Sequence, residues 1–301
     1  QEELAYWGVP GSDMGVGGIS WIGPSLMRLG TKEQKKDHLP PIARGETVWC
    51  TAYSEPGSGS DMASLQTEAA IKSEHYVVNG QKIWTSAAHV SDWCWILVRT
   101  NPDASKHRGL SLMLLDLHTE GVAINPIAGM AGITPFAEIF LEDVKIPRRN
   151  LVGEADQGWN YVVESLDYER AWAGLFFSAQ SRRVLDELVK LILEIGSTTS
   201  SRSLAMQVTR KLANIAVQVE ISRLLAHQAC LLLLSGRHAT SESAMSKLFS
   251  TELTQRVSQV SMRVLGLYGQ LDASFSGVPL GGRGLFAYLS SVGNTILAGT
   301  S

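Results

Sequence analysis

The sequence predicts an α+β chain: a short helical opening, a middle antiparallel β-domain, and a C-terminal helical bundle. Three observations predict it. From about residue 46 the chain turns to short apolar runs separated by Gly, Pro and Asn, the spacing of a barrel or sandwich. After Gly158 the pattern lengthens into amphipathic stretches that continue to the last residues. With 301 residues, 45% of them hydrophobic, the chain is long enough to divide into two or three domains, each with its own core. The expected divisions are 1–45, 46–152 and 153–301.

In the opening segment, GTKEQKKDHLPPIARGE reads as a charged helical piece, a stop at Pro40-Pro41 and a short helix closed by Gly45. In the middle segment, EAAIKSEHYVVNGQKIWTSA reads as two strands joined at Asn79-Gly80, a strong hairpin dipeptide. CWILVRT, LSLMLLDL, GVAINPI and AEIFLEDVKIP supply further strands. The third segment begins with a long helix that starts after Asp156 as its cap and closes at Gly196. Residues 202–235, 240–268 and 284–298 add three more helices, which makes a four-helix bundle.

Composition narrows the function. A net charge of −3 and mean hydropathy of +0.03 give no electrostatic pull toward nucleic acid or an anionic membrane. Cys50, Cys94 and Cys230 are odd in number and far apart, which argues against a disulfide framework or a zinc site and fits a reducing cytoplasm. The longest apolar run, CLLLLSG at 230–236, is shorter than a membrane span. Both ends stop mid-pattern, so further residues are expected before QEELAYWG and after NTILAGTS.

One carboxylate stands out. On a helical wheel of residues 158–196, Val162, Leu166, Ala173, Phe176, Phe177, Val184 and Leu188 form an apolar stripe, and Glu169 falls within it. Glu164 and Asp167 fall off the stripe. A carboxylate on a buried face is costly unless paired, and desolvation raises its pKa toward neutrality, as a general base requires. The wheel leaves two readings: a base, or one half of an ion pair that fixes packing. The histidines show no metal-ligand spacing, no serine lies in a G-x-S-x-G elbow, and GVPGSDMGVGG (8–18) lacks the strand and GK[ST] of a phosphate loop. YSEPGSGSD (53–61), a Gly-rich turn among strand-like runs, is either a surface turn or a backbone cradle for a ligand.

Several motifs in register decide between these readings. RLGTKEQKKDHLPPIARGE, YSEPGSGSD followed by TEA, YVVNGQKIWTSA, GMAGITPFAEIFLEDVKIPRRNLVG, GWNYVVESLDYER and the terminal ILAGTS together resemble the acyl-CoA dehydrogenase family, over nearly the whole chain. The resemblance implies a helical domain, a middle β-domain and a four-helix bundle, with FAD as cofactor. It places Tyr53, Ser54, Gly59 and Ser60 against the flavin ring, with Ser60 also near the thioester. It places the Trp84 ring beside the flavin and the Ser86 hydroxyl close to N5, where Thr is more usual. Thr300 matches a cofactor contact in the last helix, and Arg170 a residue that in relatives meets CoA. The implied reaction converts an acyl-CoA thioester to the trans-2-enoyl-CoA, flavin N5 accepting the β-hydride and an electron-transfer flavoprotein the electrons.

Two departures from the family pattern matter. Many members carry the base just before the terminal Gly-Thr, where this chain has Ala298; the isovaleryl-type subgroup carries it in a D-x-E-R context, which LDYER supplies as Glu169. The resemblance thus implies that Glu169 abstracts the α-proton. The R-x-x-F-G segment by which family homotetramers bind a neighbouring protomer's FAD pyrophosphate is missing, and Arg263 replaces the usual Gln. That departure leaves two readings: an α2β2 heteromer of the type that acts on bulky or steroid side chains, or phosphate binding by Arg202 or Arg263. A homo- or hetero-oligomer, dimer or tetramer, is expected in a bacterial cytosol rather than a mitochondrial matrix. A non-catalytic partner subunit and an acyl-CoA oxidase remain as alternatives, and the acyl chain is left open.

Overall fold

The structure is a computed structural model that describes residues 1–9, 16–196 and 202–299, excepting the side chains of 195–196 and 202–205. In chain order the helices are α1 (Glu2–Trp7), α2 (Gly23–Leu29), α3 (Lys32–Arg44), α4 (Gly158–Gly196), α5 (Arg202–Leu234), α6 (Thr240–Leu265) and α7 (Arg283–Ile296). The strands are β1 (Trp49–Ala52), β2 (Glu68–Ile71), β3 (His75–Ser86), β4 (Trp93–Arg99), β5 (Leu110–Asp116), β6 (Val122–Ile127), β7 (Phe136–Pro147) and β8 (Leu151–Val152). The chain forms two compact units: Asp13–Glu169, and Gln1–Ser12 with Arg170–Ser301.

The first unit is built on an eight-stranded sheet in the order β6-β7-β3-β2-β4-β5-β8, with β1 beside β4. Most pairings are antiparallel, as expected, but β1 and β4 run parallel, with Cys50 opposite Cys94. Between them the chain completes the β2–β3 hairpin, so it re-enters beside β1 in the same direction. Strand β4 is apolar at nearly every position because both its faces are covered. Cys94, Ile96 and Val98 join one core with Val78, Met113 and Ile139, while Trp95 and Leu97 join another with Ile22, Leu26, Ile42 and Val162.

Three local expectations are corrected. The hairpin between β2 and β3 turns at Lys72–His75, where Lys72 N–H donates to the His75 carbonyl at 2.8 Å, not at Asn79-Gly80. Asn79-Gly80 is instead a bulge inside β3, opposite β7. A Cβ on Gly80 would stand 2.7 Å from the Thr67 Cα, so glycine is required here by a close approach. Second, α3 runs through Pro40 and Pro41 without a stop. It is anchored by a Thr31–Gln34 capping box, by Gln34 Nε2 donating to the carbonyls of Arg149 and Leu151, and by a left-handed Gly45. Third, Asp156 does not cap α4: its carboxylate accepts from the Thr100 hydroxyl at 2.5 Å, while its N–H donates to Ser111 Oγ.

The helices α4, whose part from Arg170 onward belongs to the second unit, α5, α6 and α7 lie close to the expected spans. Their core joins Leu185 and Leu188 of α4 to Leu212, Ile215 and Val219 of α5 and to Leu253 and Val257 of α6. Sequence length alone did not mark a membrane span, yet Met206–Leu234, with mean hydropathy 1.3, is long and apolar enough for one. Its apolar character has another use, since Leu212, Ile215, Val219 and Ala226 on one face are buried in the bundle. Helix α1 adds Ala5 to a small cluster with Ala173, Phe176 and Phe177.

Candidate active site

The turn after β1 is fixed from beneath by a buried ion pair. Lys82, 0% exposed, donates through Nζ to Glu55 Oε1 at 2.9 Å and to the Tyr53 carbonyl at 3.1 Å. The Glu55 carboxylate also accepts the backbone N–H of Gln66 (2.6 Å) and Thr67 (2.9 Å). Burial works to raise the Glu55 carboxyl, but the Lys82 charge and these hydrogen bonds outweigh it and hold the group below the usual carboxylate range. Burial lowers the Lys82 ammonium, partly offset by Glu55. A buried pair of this kind adds little net stability but specifies geometry through its hydrogen bonds. Sequence reasoning passed over Lys82, because its place in QKIW looked like one more strand residue.

Above this pair the backbone folds tightly. Glu55 and Ser58 exchange N–H···O bonds of 3.0 Å, so residues 55–58 close on themselves. Gly57 and Gly59 have no left-handed φ, and a Cβ built on either would meet nothing within 4 Å. Neither conformation nor packing within the chain demands glycine there; the open space beside them is what a flat ligand pressing on backbone N–H groups would occupy. Ser58 is 3% exposed and its hydroxyl has no partner among the described residues. Ser60 is exposed and Ser54 half-buried. Asp61 is held outward by Lys106 Nζ (2.5 Å) and the Ser64 hydroxyl.

Ser54 connects this turn to the aromatic wall. Its carbonyl accepts from Ile83 N–H at 2.9 Å, and Trp84 follows immediately. The β3–β7 register slips between Lys82 and Thr85, and Trp84 adopts φ 61°, an unusual conformation for an aromatic residue. The slip turns its ring outward, 56% exposed, with Phe136 edge-on at 6.0 Å between centroids. Ser86, two residues on, is exposed as well. The turn and Trp84 therefore form one continuous rim.

Glu169 lies in the same unit and is half-buried. The Tyr53 hydroxyl is buried, and that burial together with the Glu169 charge pushes its pKa well above the ordinary tyrosine value. The wheel misplaced one acid: Asp167, off the apolar stripe, is 2% exposed, more buried than Glu169. The buried arc of α4 near residue 165 is wider than one stripe, taking in Val162, Ser165 and Asp167. Glu164 pairs with Arg28.

The remaining predicted residues belong to the helical unit. Arg170 donates through Nε to the Ala298 carbonyl at 3.0 Å, within the turn that ends α7. Ala298 and Gly299 there both take left-handed φ, 54° and 68°. Lys247, fully buried on α6, donates to the carbonyls of Thr295 and Gly299, each at 2.8 Å. Nothing in the helical pattern of α6 singles out this lysine. Arg263, considered for phosphate binding, is half-exposed on α6; Thr300 and the Arg202 side chain lie outside the described residues.

Comparison with known proteins places these features in a family. Residues 50–144 match the acyl-CoA dehydrogenase middle domain, and residues 156–301 the acyl-CoA dehydrogenase C-terminal domain. The chain is 30% identical over 299 residues to acyl-CoA dehydrogenase FadE34 of Mycobacterium tuberculosis, covering 99% of this chain and 39% of that one. It is 34% identical to acyl-CoA dehydrogenase FadE26 of the same organism, covering 88% of this chain and 67% of the relative. The chain thus spans well under half of one of these curated relatives and about two thirds of the other. Among solved structures, the ChsE4-ChsE5 complex from Mycobacterium tuberculosis superposes with TM-score 0.84 at 31% identity, covering all of this chain and 76% of that one. The chain belongs to the acyl-CoA dehydrogenase family.

Proposed function

We propose that the chain is an FAD-dependent acyl-CoA dehydrogenase that converts an acyl-CoA thioester to the trans-2-enoyl-CoA, with Glu169 as base. The observation that carries this reading is the rim in one unit: an open glycine turn, an outward Trp84 and a half-buried Glu169 whose charge reaches Tyr53, the first residue of that turn. The rim fits a flavin. Gly57 and Gly59 leave backbone accessible, the Ser58 hydroxyl is buried without a described partner, and Trp84 offers a free aromatic face.

Tyr53, Ser54, Gly59, Ser60, Trp84 and Ser86 would hold the cofactor. FAD bound there supplies a hydride acceptor for the acyl β-carbon. The chain's own work is positional and acid–base. Glu169 removes the α-proton and retains it, and partial burial keeps water from competing for it. Ser60 and Arg170 are the candidates for orienting the thioester and CoA. The Glu55–Lys82 pair keeps the turn from moving as the ligand enters.

A hetero-oligomer is the assembly this reading favours. The chain lacks the family's R-x-x-F-G segment, and a similar solved structure is described as a complex of two different chains, ChsE4 and ChsE5. A bacterial cytoplasm suits the three free cysteines and the bacterial relatives, and an electron-transfer flavoprotein is the proposed acceptor. The test is to express the chain alone and with candidate partner chains, record the flavin spectrum, and add butyryl-, isovaleryl-, octanoyl-, palmitoyl- and steroid side-chain-CoA without oxygen. Bleaching of the flavin band by at least one thioester supports the reading. A chain that takes up flavin yet is bleached by none in any assembly contradicts it and favours a supporting subunit.

A further inference from the structure

Helix α5 has two apolar faces, and the bundle uses one of them. Leu212, Ile215, Val219 and Ala226 are buried, the first three in the core shared with α4 and α6. On the opposite side of the helix, Val217, Ile221, Leu224 and Leu231 are 59%, 42%, 60% and 66% exposed. Met206 lies in line with them and is exposed as well. Between Met206 and Leu234 only 22% of the most apolar stretch is buried. A single exposed leucine is ordinary, but a line of aliphatic side chains along one helix face marks a surface that something covers.

The spacing indicates what covers it. Asn214, Val217, Ile221, Leu224, Gln228 and Leu231 follow at steps of three, four, three, four and three residues, the 3.5-residue period of a seam that packs on another helix. A bilayer calls for a broad apolar face with Lys or Arg on the opposite, solvated one. Here exposed Asn214 and Gln228 interrupt the line, and the opposite face is buried in the bundle. Glu220 and Arg223, beside the seam, pair with each other at 3.1 Å, so it presents no charge for a partner to answer. It also reads almost alike in both directions from Ile221: aliphatic at Val217 and Leu224, polar at Asn214 and Gln228, seven residues to either side. Such a stripe matches itself when turned end for end, the condition for a two-fold contact between like chains. Its exposed aliphatic and Met side chains offer on the order of 300 Å² of apolar surface. That is most of the apolar share of the roughly 800 Å² each partner buries in a standard-size interface.

We propose that this seam joins two copies of the chain: α5 of one packs antiparallel on α5 of the other about a two-fold axis, with Ile221 of each copy opposite Leu224 of the other. Asn214 and Gln228 flank the aliphatic centre and set the register, as polar residues in a helical seam do at some cost in affinity. In the hetero-oligomer proposed above, this contact pairs the like subunits, and the different chain binds elsewhere. The inference rests on α5 alone, and neither the flavin nor the role of Glu169 enters it.

The experiment uses the full chain, flavin-loaded and with any different chain that co-purifies, and counts copies by sedimentation and by capture between two differently tagged copies. The parent is expected to carry two copies of this chain in contact. Leu224→Glu and Ile221→Lys, both at exposed positions, are each expected to weaken the pairing at least about a hundredfold, with unchanged circular dichroism. Mixed in equal amounts, the two variants are expected to pair again, because the new carboxylate of one faces the new ammonium of the other. A parent with one copy per particle, a copy number unmoved by either variant, or a mixture that does not re-pair overturns the inference. Release of a different chain by Leu224→Glu, with the second copy retained, overturns it in favour of a hetero-subunit on this face. Pelleting of the parent with phosphatidylcholine–phosphatidylglycerol vesicles, abolished by Leu224→Glu, overturns it in favour of a membrane.

Discussion

Two turns of this molecule are built on a fully buried lysine, and they differ in how the lysine grips the backbone of the turn. Beneath residues 53–61, Lys82 meets a carboxylate, Glu55, which also gathers two backbone N–H groups. Beneath residues 295–299, Lys247 meets the carbonyls of Thr295 and Gly299 at the end of α7. The first arrangement fixes a turn from both chemical sides, donor and acceptor. The second acts as a C-terminal cap, a cation where helix carbonyls accumulate partial negative charge. Burying a cation is costly, and a fold bears that cost twice where a backbone has to be held in one place. The first turn carries residues that the family reading assigns to the cofactor, Ser54, Gly59 and Ser60.

The comparison can be broken at its stronger member first. Lys82→Met leaves the Glu55 carboxylate buried without its cation and is expected to cost about 3–5 kcal/mol in urea unfolding, whereas Lys82→Met with Glu55→Leu recovers most of the loss. The pH dependence has a definite sign. Glu55 titrates lower in the folded protein than in the unfolded chain, so its stabilisation is fully present above about pH 4.3 and drains away as pH falls through the lower folded value. Glu55→Gln therefore flattens the loss of stability in that acid window. Lys247→Met, which strands two carbonyls in a partly exposed turn, is expected to cost about 2 kcal/mol by the same measurement. Equal losses at Lys82 and Lys247 would erase the distinction between the two turns.

The smallest effect on stability is expected at Gly59. Gly59→Ala meets no atom of the protein and needs no unusual φ, so unfolding of the flavin-free chain changes by less than about 0.5 kcal/mol. Flavin affinity, followed by fluorescence quenching, drops about tenfold if the open space is where the ligand lies. Unchanged affinity would make the turn an ordinary surface loop.

What was legible in the sequence follows from how local each signal is. The switch from strand runs to long helices at Gly158 and the register of YSEPGSGSD, IWTSA and LDYER could all be read directly, because period and motif are carried by neighbouring residues. The failures were all tertiary. Asn79-Gly80 looks like a hairpin turn until Thr67 is seen pressing on Gly80, and Pro40-Pro41 looks like a stop until Gln34 is seen tying α3 to residues 149 and 151. Asp167 looked exposed because a single stripe underestimates the buried arc of α4. Lys82 and Lys247 could not be found at all, since a buried lysine and a surface lysine read alike until their acceptors are known.

The most direct test of the central claim is the reductive half-reaction of flavin-loaded Glu169→Gln, followed as flavin bleaching by acyl-CoA without oxygen. Removing the base while keeping the shape of the side chain should slow bleaching by about 10² to 10⁴ without changing the flavin spectrum of the resting protein. Bleaching at the parental rate would contradict the account and return Glu169 to a packing role.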